Sequence, residues 1–170
     1  VGGLARPGST IFLGFALILS GLWLLRFDIA LKTVKLKGLA RYTAISLLSG
    51  YVWLLISGIA IAQSGLLGAG PAYDLALHSF FLGFVFSMIF GHGPSIFPKV
   101  LSGLEGGGAL YSKAFYLHLA VLHGTLALRV TADFLENMDI RRVAAIGNAL
   151  AILIFALNMI VAAVIKYRRK

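Results

Sequence analysis

The stretch Leu75–Pro98, LALHSFFLGFVFSMIFGHGPSIFP, runs 24 residues without an Asp, Glu, Lys or Arg. A helix rises about 1.5 Å per residue, so about 20 such residues cross about 30 Å of hydrocarbon. The rest of the 170-residue chain has the same character, at 59% hydrophobic and 12% charged, with a mean hydropathy of +0.93. Soluble domains carry about 25% charged residues. A chain this poor in charge covers neither a water-facing surface nor a disordered coil, and it belongs in a bilayer. The absence of cysteine excludes a disulfide scaffold, a Cys-ligated zinc or iron–sulfur site, and thiol catalysis.

Outward from that stretch, charge-free segments mark the other spans. Pro7–Leu25 is the first, and Tyr42–Tyr73 holds the second, its end given to a Gly-rich loop with Pro71. The third span is expected to stop near Gly91-His-Gly-Pro94. The fourth carries Arg129 and Asp133, and the fifth lies within Val143–Ile165. The reading is all-α: a polytopic membrane bundle of five helices at about 7–26, 42–63, 74–93, 112–134 and 143–165, forming one transmembrane domain over 1–170. Gly106-Gly-Gly108, with Pro94 and Pro98, reads as a flexible connection of about 18 residues, long for neighbouring helices.

The net charge of +9 resolves into topology. Arg26, Lys32, Lys35, Lys37 and Arg41 occupy the first loop, Lys99 and Lys113 the third, and Lys166, Arg168, Arg169 and Lys170 the tail. With five helices these share one side, and Arg6, Arg129, Arg141 and Arg142 fall on the other. The positive-inside bias puts the N-terminus outside and the C-terminus in the cytoplasm, in a membrane of the prokaryotic inner type. The basic residues sit in short juxtamembrane loops suited to anionic lipid, which excludes a nucleic-acid face. Val1 is not an initiator Met and Val1–Arg6 does not resemble a signal peptide, so a mature or partial chain is expected.

All four histidines, His78, His92, His118 and His123, fall on the third and fourth spans. Ionisable groups at that depth are costly, and they face the bundle interior, pair, or bind something. At 100° per residue, His78 and His92 return to within about 40° of one face, about 21 Å apart along the axis. The face between them carries Phe81, Leu82, Val85, Met88 and Ile89, and on the opposite face Ser79, Gly83, Ser87 and Gly91 form a small-residue stripe for close packing. On the fourth span Tyr111, His118, Thr125 and Arg129 share a face with Asp133 beside them, and His123 points elsewhere. Arg129 and Asp133, at i and i+4, suit a pair, or Arg129 could neutralise a haem propionate. Asp74, Glu105, Glu136 and Asp139 read as solvated loop or helix-end charges. Asn148 and Asn158 read as interhelical hydrogen-bonders. No phosphate loop, nucleophile–base motif or carboxylate pair is present, so no catalytic residue is assigned.

The segment from His78 to Pro98 resembles the second helix of subunit I of haem-copper oxidases and nitric oxide reductases, and related helices of the NnrS haem-copper family. There a haem-ligating His opens an outside-to-inside helix, followed by a Gly-Phe run, a Met-Ile-Phe-Gly-like segment and a closing Pro. His78, Gly83, Phe84, Met88, Ile89, Gly91 and Pro98 occupy the corresponding places, and the resemblance implies that His78 ligates haem b. The match covers about 21 residues. The twelve helices and adjacent His-His copper pair of subunit I are absent, so copper and an oxygen- or nitric-oxide-reducing centre lack support. The 14-residue His spacing also resembles cytochrome b helices, without their second His-bearing copy.

Three readings follow. The first is a haem b-binding electron-transfer subunit of a larger respiratory complex rather than a complete enzyme. Its ligands come from His78, His92, His118 and His123, with Arg129 near a propionate, and its neighbours are lipid, other membrane subunits and a cytochrome or quinone. The second is a transition-metal protein using the same histidines without a porphyrin. The third is a scaffold subunit whose histidines only hydrogen-bond.

Overall fold

A computed structural model describes residues 7–64, 70–102 and 111–168. The regular structure among these residues is helical throughout. In chain order it comprises α1 (Pro7–Phe27), a single turn α2 (Ala30–Thr33), α3 (Leu39–Ser64), α4 (Pro71–His78), a π-helical segment (Ser79–Val85), α5 (Phe86–Ser102), α6 (Phe115–Phe134) and α7 (Met138–Arg168). Five helical stretches are long and apolar enough to cross a bilayer: Thr10–Phe27, Leu39–Ser64, Pro71–Pro98, Phe115–Phe134 and Met138–Val164. Arg6 and the Gly106–Gly108 run lie outside the described residues, as do Glu105, Arg169 and Lys170.

The element ends follow local chemistry. Pro7 and Pro71 open α1 and α4, where a missing N–H costs nothing. The turn α2, which hydropathy alone does not reveal, is held by Asp28, whose Oδ1 accepts from Ala30 N at 2.6 Å. Between α6 and α7 the chain reverses in three residues. Glu136 takes a left-handed conformation (φ 51°), and Asn137 caps α7 by accepting from the amides of Asp139 and Ile140 at 3.1 Å.

One boundary differs from expectation. The third span does not stop at Gly91–Pro94. It continues through Pro94 and Pro98 to Ser102. Each proline deletes one ladder bond, a loss that neighbouring helices make tolerable inside an apolar bundle, and Pro94 is fully buried there.

α3 is the central element, packed on α1 and along the third span. Against α1 the approach is backbone to backbone. A Cβ placed on Gly58 lies 2.9 Å from Gly14 O and from Ile18 Cγ1. A second core joins Tyr42 of α3, Phe90 of α5, Phe115, Leu119 and Leu122 of α6, and Phe155 and Met159 of α7. Large apolar side chains on α1 and α7, among them Phe12, Phe15, Trp23, Ile146 and Ile160, face outward.

Overpacking costs about 1–3 kcal/mol, so Gly58→Leu is expected to lower the thermal unfolding midpoint of the detergent-solubilised protein. Gly124, whose Cβ position has no atom within 4 Å, is the control, and Gly124→Ala leaves the midpoint unchanged or higher. Equal midpoints for the two variants contradict the α1–α3 packing.

Candidate functional site

Residues spaced by four drift about 40° per step around an α-helix. The wider i→i+5 turns of the π segment reverse that drift. Ser79, Gly83, Ser87 and Gly91 therefore line up and are all buried. They face α3: a Cβ on Gly83 would collide with Trp53, and one on Gly91 would lie 3.2 Å from Ser46 Cβ. Opposite them, a Cβ on Gly50 would lie 2.9 Å from Ser87 Cβ.

This alignment corrects the expectation that His78 and His92 share a face. His78 stands one residue before the stripe and His92 one after it, so they flank it on opposite sides. On the His78 flank, Leu82, Phe86 and Phe90 join the core with α6 and α7. On the other, Phe84 meets the Tyr51 ring, Met88 lies over Gly50, and His92 is exposed.

The four histidines divide by their hydrogen bonds. His118 is fully buried among the rings of Tyr42, Phe90, Phe115 and Phe155. Asn158 Nδ2 donates to its Nδ1 at 3.1 Å, which leaves Nε2–H for the Tyr42 hydroxyl at 2.8 Å. Trp53 Nε1 donates to His123 Nδ1 at 2.8 Å, and His123 Nε2 meets Ser49 Oγ at 2.9 Å. An indole N–H only donates, so His123 is neutral with its proton on Nε2. Both residues have both nitrogens engaged inside the bundle.

His78 and His92 are arranged differently. His78 Nδ1 lies 2.8 Å from Asp74 O and 3.2 Å from Asp74 Oδ1, and His92 Nδ1 lies 2.9 Å from Met88 O. These oxygens only accept, so each Nδ1 carries hydrogen. In the neutral imidazole that leaves the lone pair on Nε2, and no hydrogen bond to Nε2 of either residue is found among the described residues.

At the end of the bundle where α3 finishes and α4 begins, Asp74 is a hub and not the solvated charge its position at a helix start suggests. Its Oδ2 accepts from Arg129 Nε and Nη2 at 3.1 and 2.8 Å, and from Arg141 Nη2 at 2.9 Å. The i,i+4 pair of Arg129 with Asp133 does not form. Arg141 reaches Asp133 instead, its Nε 2.7 Å from Oδ1 in an ion pair without hydrogen-bond geometry. The α6–α7 reversal sets this arrangement, since it returns Arg141 beside Asp133. The contacts of Asn148 with Thr125 and of Asn158 with His118 are the expected interhelical bonds. Of the residues the sequence left aside, Asp74 had one readable signal: it precedes His78 by four. Nothing local marked Trp53, Ser49 or Arg141 as partners.

Tested against haem, His118 and His123 do not fit as axial ligands, because the one unprotonated nitrogen of each, Nδ1, already accepts a hydrogen bond from Asn158 or Trp53. His78 and His92 fit as single donors. Arg129 is held by Asp74, so a propionate would have to displace that carboxylate. Among the described residues no three of His, Asp and Glu converge as a metal cluster. The cleft beside Asp133, of about 230 Å³, is lined by no histidine.

The model of a family described as Domain of unknown function (DUF8744) matches residues 3–164, and the chain belongs to that family. No curated protein and no solved structure matches it.

Removing one partner of a desolvated ion pair costs about 3–5 kcal/mol when burial is complete. The Asp74, Arg129 and Arg141 side chains keep 13–23% of their exposure, so Asp74→Ala is expected to cost about 2–3 kcal/mol in denaturant titration. Asp139→Ala, which breaks the solvent-facing Arg142 pair, is expected to give no measurable change.

Proposed function

We propose that this chain is an integral membrane subunit that binds haem b and passes electrons within a larger assembly. In this reading its N-terminus lies outside and its C-terminus in the cytoplasm. The observation that carries it is the posture of His78 and His92: Nδ1–H tied to a backbone carbonyl, Nε2 lone pair unclaimed. Metal-ligating histidines characteristically donate their second ring N–H to a carbonyl or carboxylate, which fixes the tautomer and raises the basicity of the ligating nitrogen. The Asp74 carboxylate beside His78 Nδ1 strengthens that effect.

Haem bound there supplies a one-electron couple whose potential follows its axial ligands and surroundings. The chain's own residues orient the imidazole, and the Phe-rich walls of the third span exclude water. Because His78 and His92 flank the stripe on opposite sides, they belong to separate sites, each completed by a ligand from another subunit. Quinone or a cytochrome is the redox partner that such a subunit would serve.

One observation favours a second reading, a scaffold subunit without cofactor: His118 and His123 have purely structural bonding. A porphyrin-free metal centre has less support, since no metal-ligand cluster converges among the described residues.

The test is a reduced-minus-oxidised spectrum of protein purified from membranes. A b-type band is expected that weakens in His78→Gln or His92→Gln, is lost in the double variant, and survives in His123→Gln. A wild-type protein without the band overturns the haem reading. A band that survives the double variant overturns the ligand assignment.

A further inference from the structure

The two ends of the bundle treat their charges in opposite ways. Where α3 finishes and α4 begins, Arg129, Arg141 and Arg142 each lie within ion-pair distance of a carboxylate. At the other end, the connection from α1 to α3 is flanked and lined by Arg26, Lys32, Lys35, Lys37 and Arg41. All five are exposed, and none pairs with a carboxylate among the described residues. The one carboxylate of this stretch is turned inward. Asp28 accepts from Ala30 N at 2.6 Å through Oδ1 and from the Tyr51 hydroxyl at 3.0 Å through Oδ2. Ala30 and Tyr51 are both buried. Asp28 therefore holds the connection against α3 and leaves its cations without a counter-charge.

Basic loops are common beside membrane spans. This one also sets apolar side chains among its cations. Phe27, Ile29 and Leu36 are 65%, 69% and 52% exposed, and Leu31 is exposed next to Lys32. Water suits the cations and strands those apolar groups, and hydrocarbon does the reverse. Both are satisfied together only at the boundary, with the cations at head-group level and the apolar groups among the upper acyl chains. The Arg26 guanidinium stands 5.3 Å over the Phe27 ring, where the first span ends, so charge and ring share one surface. Zwitterionic head groups bring an ammonium of their own. Anionic ones offer phosphate without it, which matches five cations beside one engaged carboxylate.

We infer that the α1–α3 connection is a docking surface for anionic phospholipid head groups, whose phosphates engage Arg26, Lys32, Lys35, Lys37 and Arg41. The inference rests on the membrane placement proposed above and needs no haem.

The two tryptophans make it measurable. Trp23 is 61% exposed beside Phe27, whereas Trp53 is buried at 9%, so brominated acyl chains quench Trp23 selectively. The full chain is reconstituted in vesicles of equal phosphatidylcholine and phosphatidylglycerol, with one lipid or the other dibrominated. Quenching is expected to report phosphatidylglycerol enriched about three-fold around Trp23, a preference that disappears at about 1 M salt. Lys32→Gln, Lys35→Gln and Lys37→Gln together are expected to remove at least half of it with an unchanged unfolding midpoint. Arginine at the same three positions, or Arg142→Gln at the opposite end, is expected to keep it. Equal quenching by the two lipids, the outcome expected of a surface for an acidic protein, overturns the inference, as does a preference that the glutamine variant retains in full. A chain that does not float with the vesicles overturns the membrane placement, and this inference with it.

Discussion

The close approach of α3 to the third span decides where nearly every polar side chain in this bundle can point. Helices in an apolar medium gain little from burying more apolar surface, and they associate through packing and interhelical hydrogen bonds. Here a line of Ser79, Gly83, Ser87 and Gly91 admits Trp53, Gly50 and Ser46. A plain α-helix would wind that line away within three turns, and the π segment keeps it straight. Trp53, pressed against Gly83, is thereby aimed at His123 on α6, and Tyr42, about three turns away on α3, reaches His118.

The same alignment determines which histidines retain chemistry. Buried donors and acceptors must find partners inside the bundle. His118 and His123 face α3 and α7 across the interior and are fully partnered there. His78 and His92 stand on the flanks of the contact line, where their partners among the described residues lie one turn back: the Asp74 carbonyl and carboxylate for His78, the Met88 carbonyl for His92. Each is left with Nδ1 bonded and, among the described residues, Nε2 without a hydrogen bond. The charged end of the bundle obeys the same rule. Arg129, Arg141 and Asp74 close on one another, and Asp133 is left with an ion pair but no hydrogen bond among the described residues.

The five apolar helices were legible because charge-free runs of about 20 residues have few alternatives, and the polar exceptions, including Asn148 and Asn158, stood out against them. What the sequence could not reveal came from departures from regular geometry. No composition marks the seven-residue π segment, and without it the 14-residue spacing of His78 and His92 reads as a shared face. The prolines at 94 and 98 suggested a stop that packing overrides. Asp74 looked like an ordinary helix-start charge because its arginine partners lie 55 and 67 residues away. Arg129 had a local partner at the right spacing in Asp133, but the tight α6–α7 reversal brought Arg141 there first.

The central claim is that the two histidine pairs hold opposite protonation patterns for geometric reasons. Histidine side-chain nitrogen NMR of the labelled full-length chain in lipid, with each resonance assigned by single His→Gln variants, reads the tautomers directly. The account predicts hydrogen on Nδ1 and a bare Nε2 for His78 and His92, and hydrogen on Nε2 with a bare Nδ1 for His118 and His123. Hydrogen on Nε2 in His78 and His92 would contradict it, because the nitrogen assigned to the ligand would then have no lone pair to offer.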